Sequence, residues 1–325
     1  MESPDKTPPA PENTFAQDPL LRGWFALREH GEVALTRMMA APMERASWEG
    51  CRRTGAWLGL LLFYSLKRRQ QIAIDNVRLA FPELTPQRAR QIARCSAQNF
   101  GITFCEFLHL NVATPQSVRD YVDVEHKEYL DQGFERGKGV ILLTGHFGNW
   151  EALGARAAQL FEIAAISRPT SNSGVQDHLN QIRKNINLGL IYPSEGPRPP
   201  LRFLRKNNAL AILPDQYAAG GKGIMLPIFG HRTSVWPSLS HLAMISGATV
   251  VPAWGIRQKP WMSNGRLVAR LSPGYRVEPG DDKEKAVLEG TQRMITEIET
   301  IVRQYPEQWM WLHKRWRKED LRNEQ

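Results

Sequence analysis

The run Val140-Ile-Leu-Leu143, followed at once by Thr-Gly-His-Phe-Gly-Asn-Trp-Glu151, constrains this chain more than any other segment. Four apolar residues, β-branched at the start, are too few for a helix and read as a strand buried on both faces, as in a parallel sheet. Gly145 and Gly148 turn the chain, and Asn149 caps a helix that continues through Glu151, Ala152 and Leu153 to about Leu160. His146 then stands at the carboxyl end of a strand, where open α/β sheets place their ligands. Two more short apolar runs end in the same way: Phe161 to Ile166 leads into Ser167-Arg168-Pro169, and Ala209 to Leu213 leads into Pro214-Asp215. If these strands are parallel neighbours joined by helices, His146, Arg168 and Asp215 meet on one sheet edge. The expected fold is α/β, a central, mostly parallel sheet flanked by helices.

The residue types at that edge suit proton transfer. Positions five apart on one continuous helix diverge, so His146 and Glu151 both face a crevice only if the His lies in the loop before the helix. A neutral imidazole takes a proton from an attacking hydroxyl, and a carboxylate fixes its tautomer. Glu151 and Asp215 compete for that second role. The amides of the helix starting at Asn149 and the fixed charge of Arg168 are candidates for holding an oxyanion. No Ser or Cys stands in a nucleophile-elbow context, so direct transfer to an acceptor fits better than a covalent intermediate. The chemistry needs no metal and no bound redox cofactor.

With 325 residues the chain can bury a large core. Residues 1–19 are polar and Pro-rich and read as a disordered tail without a signal peptide. Residues 20–110 read as a helical N-terminal region, 111–318 as the α/β domain and 319–325 as a polar tail. Residues 86–110 look helical, as does Lys283 to Arg303, and Val250 to Trp254 reads as a further strand. Gly220 to Gly223 lacks P-loop spacing and suits a surface hairpin. Cys51, Cys95 and Cys105 show neither metal spacing nor a disulfide framework. A net charge of +9 favours anionic partners, namely headgroups, phosphates or an acidic carrier protein. No recognition helix or aromatic-interleaved signature points to nucleic acid.

Gly55 to Leu66 is uncharged and lies between Arg52-Arg53 and Lys67-Arg68-Arg69. As a helix it spans about 18 Å against a hydrocarbon core of about 30 Å, too short to cross. Its basic flanks and Trp57, Phe63 and Tyr64 suit a helix lying in, or dipping into, the interface, and a buried helix of the N-terminal region fits the segment equally. In the tail, Trp309, Trp311 and Trp316 among His313, Lys314, Arg315 and Arg317 suit either the headgroup zone or packing on the core.

The block Gly145-His-Phe-Gly-Asn-Trp-Glu151 resembles the signature of the bacterial lipid A late acyltransferases and their relatives that acylate phosphatidylinositol mannosides. Similar blocks occur in the same order: Arg68 to Val77, Phe81-Pro-Glu-Leu84, Ser167-Arg168-Pro169 with Asn172, Asp215-Gln216, Phe229-Gly230 and Pro306 to Trp316. The resemblance spans roughly residues 50 to 318. It implies a glycerolipid-acyltransferase-like sheet with a helical, membrane-associating N-terminal region. It also implies O-acyl transfer from an acyl thioester, on acyl carrier protein or coenzyme A, to a hydroxyl of a membrane glycolipid, a lipid A precursor first. Another lipid acceptor, or a non-catalytic basic docking protein, are the competing readings. In the mannoside branch an acid at the position of Asp215 partners the His. Many lipid A members carry a second acid where this chain has Tyr217. The candidate catalytic residues are His146, Glu151 and Asp215. Candidate substrate contacts are Arg168, Asn149, Gly148, Gln216, Arg183, His313 and Arg315. The expected place is the cytoplasmic face of the bacterial inner membrane, peripheral or monotopic.

Overall fold

The computed structural model describes residues 19–170, 172–258 and 265–322. Most of the expected tail and the final three residues lie outside that set. Four helices lead: α1 (Pro19–Arg45), α2 (Trp48–Ser65), α3 (Lys67–Ala80) and α4 (Pro86–His109). The cap of α4 is local in origin: the Thr85 hydroxyl accepts from the Arg88 amide, and Pro86 occupies the first turn, where no amide is needed.

After α5 (Pro115–Tyr121), strands and helices alternate: β1 (Val122–Glu125), α6 (Glu128–Glu135), β2 (Val140–Leu143), α7 (Trp150–Ala157), β3 (Ile163–Ile166), α8 (Ser173–Asn185), β4 (Gly189–Ile191), α9 (Arg198–Arg205) and β5 (Ala209–Ile212). The hairpin β6 (Ile224–Ile228) and β7 (His231–Val235), α10 (Ser238–Ser246), β8 (Thr249–Arg257), β9 (Leu267–Leu271), α11 (Lys283–Gln304) and α12 (Lys318–Arg322) complete the chain. The seven-stranded sheet has the order β1-β9-β8-β2-β5-β3-β4. Its five strands β8, β2, β5, β3 and β4 are mutually parallel, while β9 pairs antiparallel to β8 and β1 runs with β9.

The central strands are buried on both faces because helices cover each side. Strand β8 is longer than expected, nine buried residues, because its second half gains β9 as a partner. Helix α7 stops at Ala157, short of Leu160, with Ala158 as its cap. The Gly220 to Gly223 segment leads into the β6–β7 hairpin, whose own turn is Phe229-Gly230.

Helices α2 and α4 approach closely through glycines. A Cβ on Gly59 would lie 2.2 Å from the Ala97 carbonyl oxygen, and one on Gly101 2.2 Å from that of Gly55. This contact gives α2 one side packed on the protein. Phe63 is buried, and so is Arg52, whose guanidinium lies over the Tyr121 ring at 5.7 Å. Trp57, 74% exposed, together with Leu61, Leu62 and Tyr64, forms an outward apolar face. Among the described residues no helix is long and apolar enough to cross a membrane.

Candidate active site

Strands β2 and β5 are neighbours in register, Leu143 opposite Ile212. His146 and Asp215 each lie three residues beyond that pair and so arrive at the same height on the carboxyl edge. Their side chains meet: His146 Nδ1 donates to Asp215 Oδ1 at 2.9 Å. The other carboxylate oxygen accepts from the His146 amide at 2.8 Å and from Trp309 Nε1 at 2.9 Å. Three donors fix the carboxylate, whose side chain is 2% exposed while that of His146 is 23% exposed. Burial alone would raise the Asp215 pKa. The facing imidazole and these hydrogen bonds outweigh it and bring the value down from 3.8 to about 2.

With Nδ1 committed, Nε2 carries the imidazole lone pair, and the Gln216 side-chain amide approaches it at 3.4 Å. The Trp150 ring packs edge-on against the imidazole, centroids 5.1 Å apart.

Asp215 is therefore the partner of His146, and Glu151 is not. Glu151 makes a two-pronged pair with Arg183, Nη2 to Oε1 at 2.6 Å and Nε to Oε2 at 3.3 Å, and accepts from Trp150 Nε1 at 3.2 Å. It begins a helix whose first turn points at α8, where Arg183 also lies over the Phe107 ring. Arg168 does not join the His146–Asp215 pair. Its guanidinium stacks 4.2 Å over the Trp236 ring, with the side chain exposed.

Gly148 and Asn149 are placed to shape the turn rather than to touch a substrate. Gly148 has φ +54, and a Cβ there would fall 1.7 Å from the Gly255 carbonyl oxygen. Its amide donates to the Gln308 carbonyl and the Asn149 amide to that of Gly255, both at 2.9 Å. The buried Asn149 side chain caps α7 through the Ala152 amide and donates to Glu106 at 2.6 Å. The free donors of this helix start are one residue further on. The Trp150 and Glu151 amides find no acceptor among the described residues.

The tryptophans of the tail are core, not headgroup contacts: Trp309, Trp311 and Trp316 are buried around Phe81 and Phe229. His313 and Arg315 follow them inward. With Asn76, Asp215 and Gln216 they line a cavity of about 10 Å³, room for one water. His313 Nε2 accepts from the Tyr217 amide at 3.1 Å, and burial lowers its pKa from 6.5 to about 4, so this ring is neutral. Arg315 donates through Nη1 to the Ser234 carbonyl, and its burial pulls the guanidinium pKa from 12.5 down to about 10.

A second set of residues escapes sequence reasoning. On one face of α4, Asn99 and Thr103 donate to the Gly148 carbonyl, and Glu106 receives Asn149, Tyr121 and Arg257. Arg257, at the end of β8, also donates to Asn99 and Thr103. Ser96 donates to the Trp309 carbonyl. The available signal is the spacing Ser96, Asn99, Thr103, Glu106, polar residues at helical intervals inside an otherwise apolar helix.

Sequence comparison finds relatives of this chain over most of its length. The profile of a family described as "Bacterial lipid A biosynthesis acyltransferase" matches residues 39–318. The chain is 25% identical over 267 residues to the lipid A biosynthesis lauroyltransferase of Escherichia coli (strain K12), covering 82% of this chain and 84% of that protein. It is 24% identical to the palmitoleoyltransferase of the same organism, over 81% and 83% of the two chains. It is 21% identical to the phosphatidylinositol mannoside acyltransferase of Mycolicibacterium smegmatis (strain ATCC 700084 / mc(2)155), over 61% and 62%.

Proposed function

The chain belongs to the bacterial lipid A biosynthesis acyltransferase family, and from that premise we propose a specific transfer for this acyltransferase of glycolipids. The donor is an acyl thioester, on acyl carrier protein or coenzyme A, and the acceptor is a hydroxyl of a lipid A precursor at the cytoplasmic face of the inner membrane. The observation that carries this reading is the partly exposed imidazole of His146, held through Nδ1 by a buried, ionised Asp215 so that Nε2 carries the lone pair.

In this mechanism the acceptor hydroxyl gives its proton to His146 Nε2 as its oxygen attacks the thioester carbonyl. Asp215 keeps its charge and stabilises the imidazolium, worth about 10³- to 10⁴-fold in related arrangements. The carbon–sulfur bond then breaks, the thiolate leaves and recovers the proton from His146. The unpaired Trp150 and Glu151 amides supply donors for the oxyanion, in place of the occupied Gly148 and Asn149 amides. The Gln216 amide, which approaches the Nε2 lone pair, gives way there to the incoming hydroxyl, and Arg168 offers its exposed guanidinium to phosphate on a substrate. Glu151 and Arg183 neutralise one another and hold Trp150 against the imidazole ring.

The outward apolar face of α2 and the exposed Lys67 and Arg68 beyond it support contact with the headgroup zone. The mannoside relative keeps a phosphatidylinositol mannoside in view as a second acceptor. Incubation with labelled acyl donors and extracted lipids, followed by mass spectrometry, separates the two. A mass gain of one acyl group on the lipid A precursor supports the reading, and a gain on the mannoside alone replaces the acceptor.

A further inference from the structure

The tail segment from Trp309 to Trp316 lies across the catalytic pair. The Met310 amide donates to the His146 carbonyl at 3.0 Å, and Trp309 Nε1 donates to Asp215 Oδ2 at 2.9 Å. The far end of the segment is fastened to β7: the Thr233 hydroxyl donates to the Arg315 carbonyl at 2.7 Å, Trp316 Nε1 to the His231 carbonyl at 3.3 Å, and Arg315 Nη1 to the Ser234 carbonyl at 3.1 Å. These bonds hold the Arg315 guanidinium inside the protein, where the residue is 2% exposed. Two of its donor atoms remain over. Nε and Nη2 are buried and meet no acceptor among the described residues. A buried cation with unused donors is unfavourable unless something accepts from them.

Arg315 lines the cavity of about 10 Å³ together with Asp215, Gln216, Asn76 and His313. One water fits there, and an enclosed water needs about two to four polar partners. Asn76 Nδ2 already donates to the Trp311 and His313 carbonyls. Asp215 Oδ2 already accepts twice, from the His146 amide and Trp309, whereas Oδ1 accepts only from His146 Nδ1 and has room for one more donor. A water that accepts from Arg315 and donates to Oδ1 satisfies both sides. The charged and titratable groups around Arg315 are Asp215 and Tyr217 after β5, Asp320 on α12 and His313 in the tail, with Arg69 of α3 beyond His313. Asp320 is engaged by the Tyr217 side chain. Burial lowers the Arg315 pKa, and the charge of Asp215 opposes that fall more than the charge of Asp320 does. A direct ion pair would compete with His146 for the carboxylate oxygens. A cation one water away stabilises the same anion and leaves Oδ1 on the imidazole.

We propose that Arg315 is a positioning residue for the transfer, a buried cation that acts through a water enclosed in this cavity to keep the Asp215 carboxylate ionised and directed at His146. This rests on the reading of His146 as the proton acceptor.

The test compares Arg315→Met, which removes the charge at similar length, with Arg315→Lys, which keeps it. Thermal melting confirms folding, and kcat and KM are measured across pH. Loss of the cation makes the His146–Asp215 pair easier to protonate, so in Arg315→Met the acid limb of kcat/KM should move up by about one pH unit. Its kcat should fall about 10- to 100-fold, with KM for donor and acceptor within about twofold. Arg315→Lys should leave the limb in place and recover part of kcat. A crystal structure of the unaltered protein should show one ordered water between Arg315 and Asp215, a readout that does not depend on either variant folding. A folded Arg315→Met with kcat and acid limb unchanged overturns the proposal. So does a loss of kcat in both variants with the limb unmoved, which marks a packing role, and so does a dry cavity. Transfer undiminished in His146→Ala is a different result, since it removes the proton-acceptor reading itself.

Discussion

At the residue scale, the site depends on a few atoms that tolerate little change. His146→Ala removes the proton acceptor and should abolish transfer while leaving the melting temperature within a few degrees. Asp215→Asn keeps the shape but loses the charge, and kcat/KM should fall by about 10³- to 10⁴-fold. Gly148→Ala places a methyl group on the Gly255 carbonyl at a positive φ, and should cost about 2–4 kcal/mol of stability by denaturant titration together with activity. The pH dependence follows from two groups. Asp215 has a folded pKa below its ordinary value, so its contribution to stability is present above about pH 4 and is lost as pH falls toward 2. His313 is also depressed, from 6.5 to about 4, so the folded state binds fewer protons there and stability declines as pH falls through that interval. Melting temperatures between pH 7 and pH 3 should show both, and His313→Gln should remove the upper part of the decline.

At the element scale, local patterns were readable and long-range partners were not. The strands β2 and β5 and the turn after β2 show in the sequence because burial on both faces leaves unbroken apolar runs, and because Gly and Asn punctuate the turn. The choice between Glu151 and Asp215 was not readable. It depends on strand register, which brings Asp215 across from 69 residues away, while the nearer Glu151 finds Arg183 on α8. The polar face of α4 was equally hidden, since a polar stripe on a helix ordinarily means solvent, and only the packed structure shows it buried against the catalytic turn. That face makes its own prediction. Glu106→Gln leaves Arg257 buried without the carboxylate that neutralises it and should destabilise by about 3–5 kcal/mol. Pairing it with Arg257→Met should recover part of that loss, read from the coupling in a double-mutant cycle.

At the scale of the whole molecule, α4 is a spacer between two surfaces. One side receives α2 through the glycine contact, and the other holds the Gly148 turn beside His146. Packed helix axes lie about 8–10 Å apart, so the apolar face of α2 sits roughly two helix layers from the catalytic edge. A chain lying on a membrane through α2 would hold its site near the headgroups. Replacing Trp57, Leu61 and Tyr64 by Ser should weaken partition into anionic vesicles by about 1–2 kcal/mol per side chain in co-sedimentation, without altering the melting temperature. The central claim concerns chemistry, and one assay tests it most directly. Purified protein and His146→Ala are incubated with lauroyl, myristoyl and palmitoyl thioesters and a tetra-acylated lipid A precursor, and the products are weighed by mass spectrometry. The account predicts one added acyl group with the unaltered protein and none with His146→Ala; equal transfer by both would contradict it.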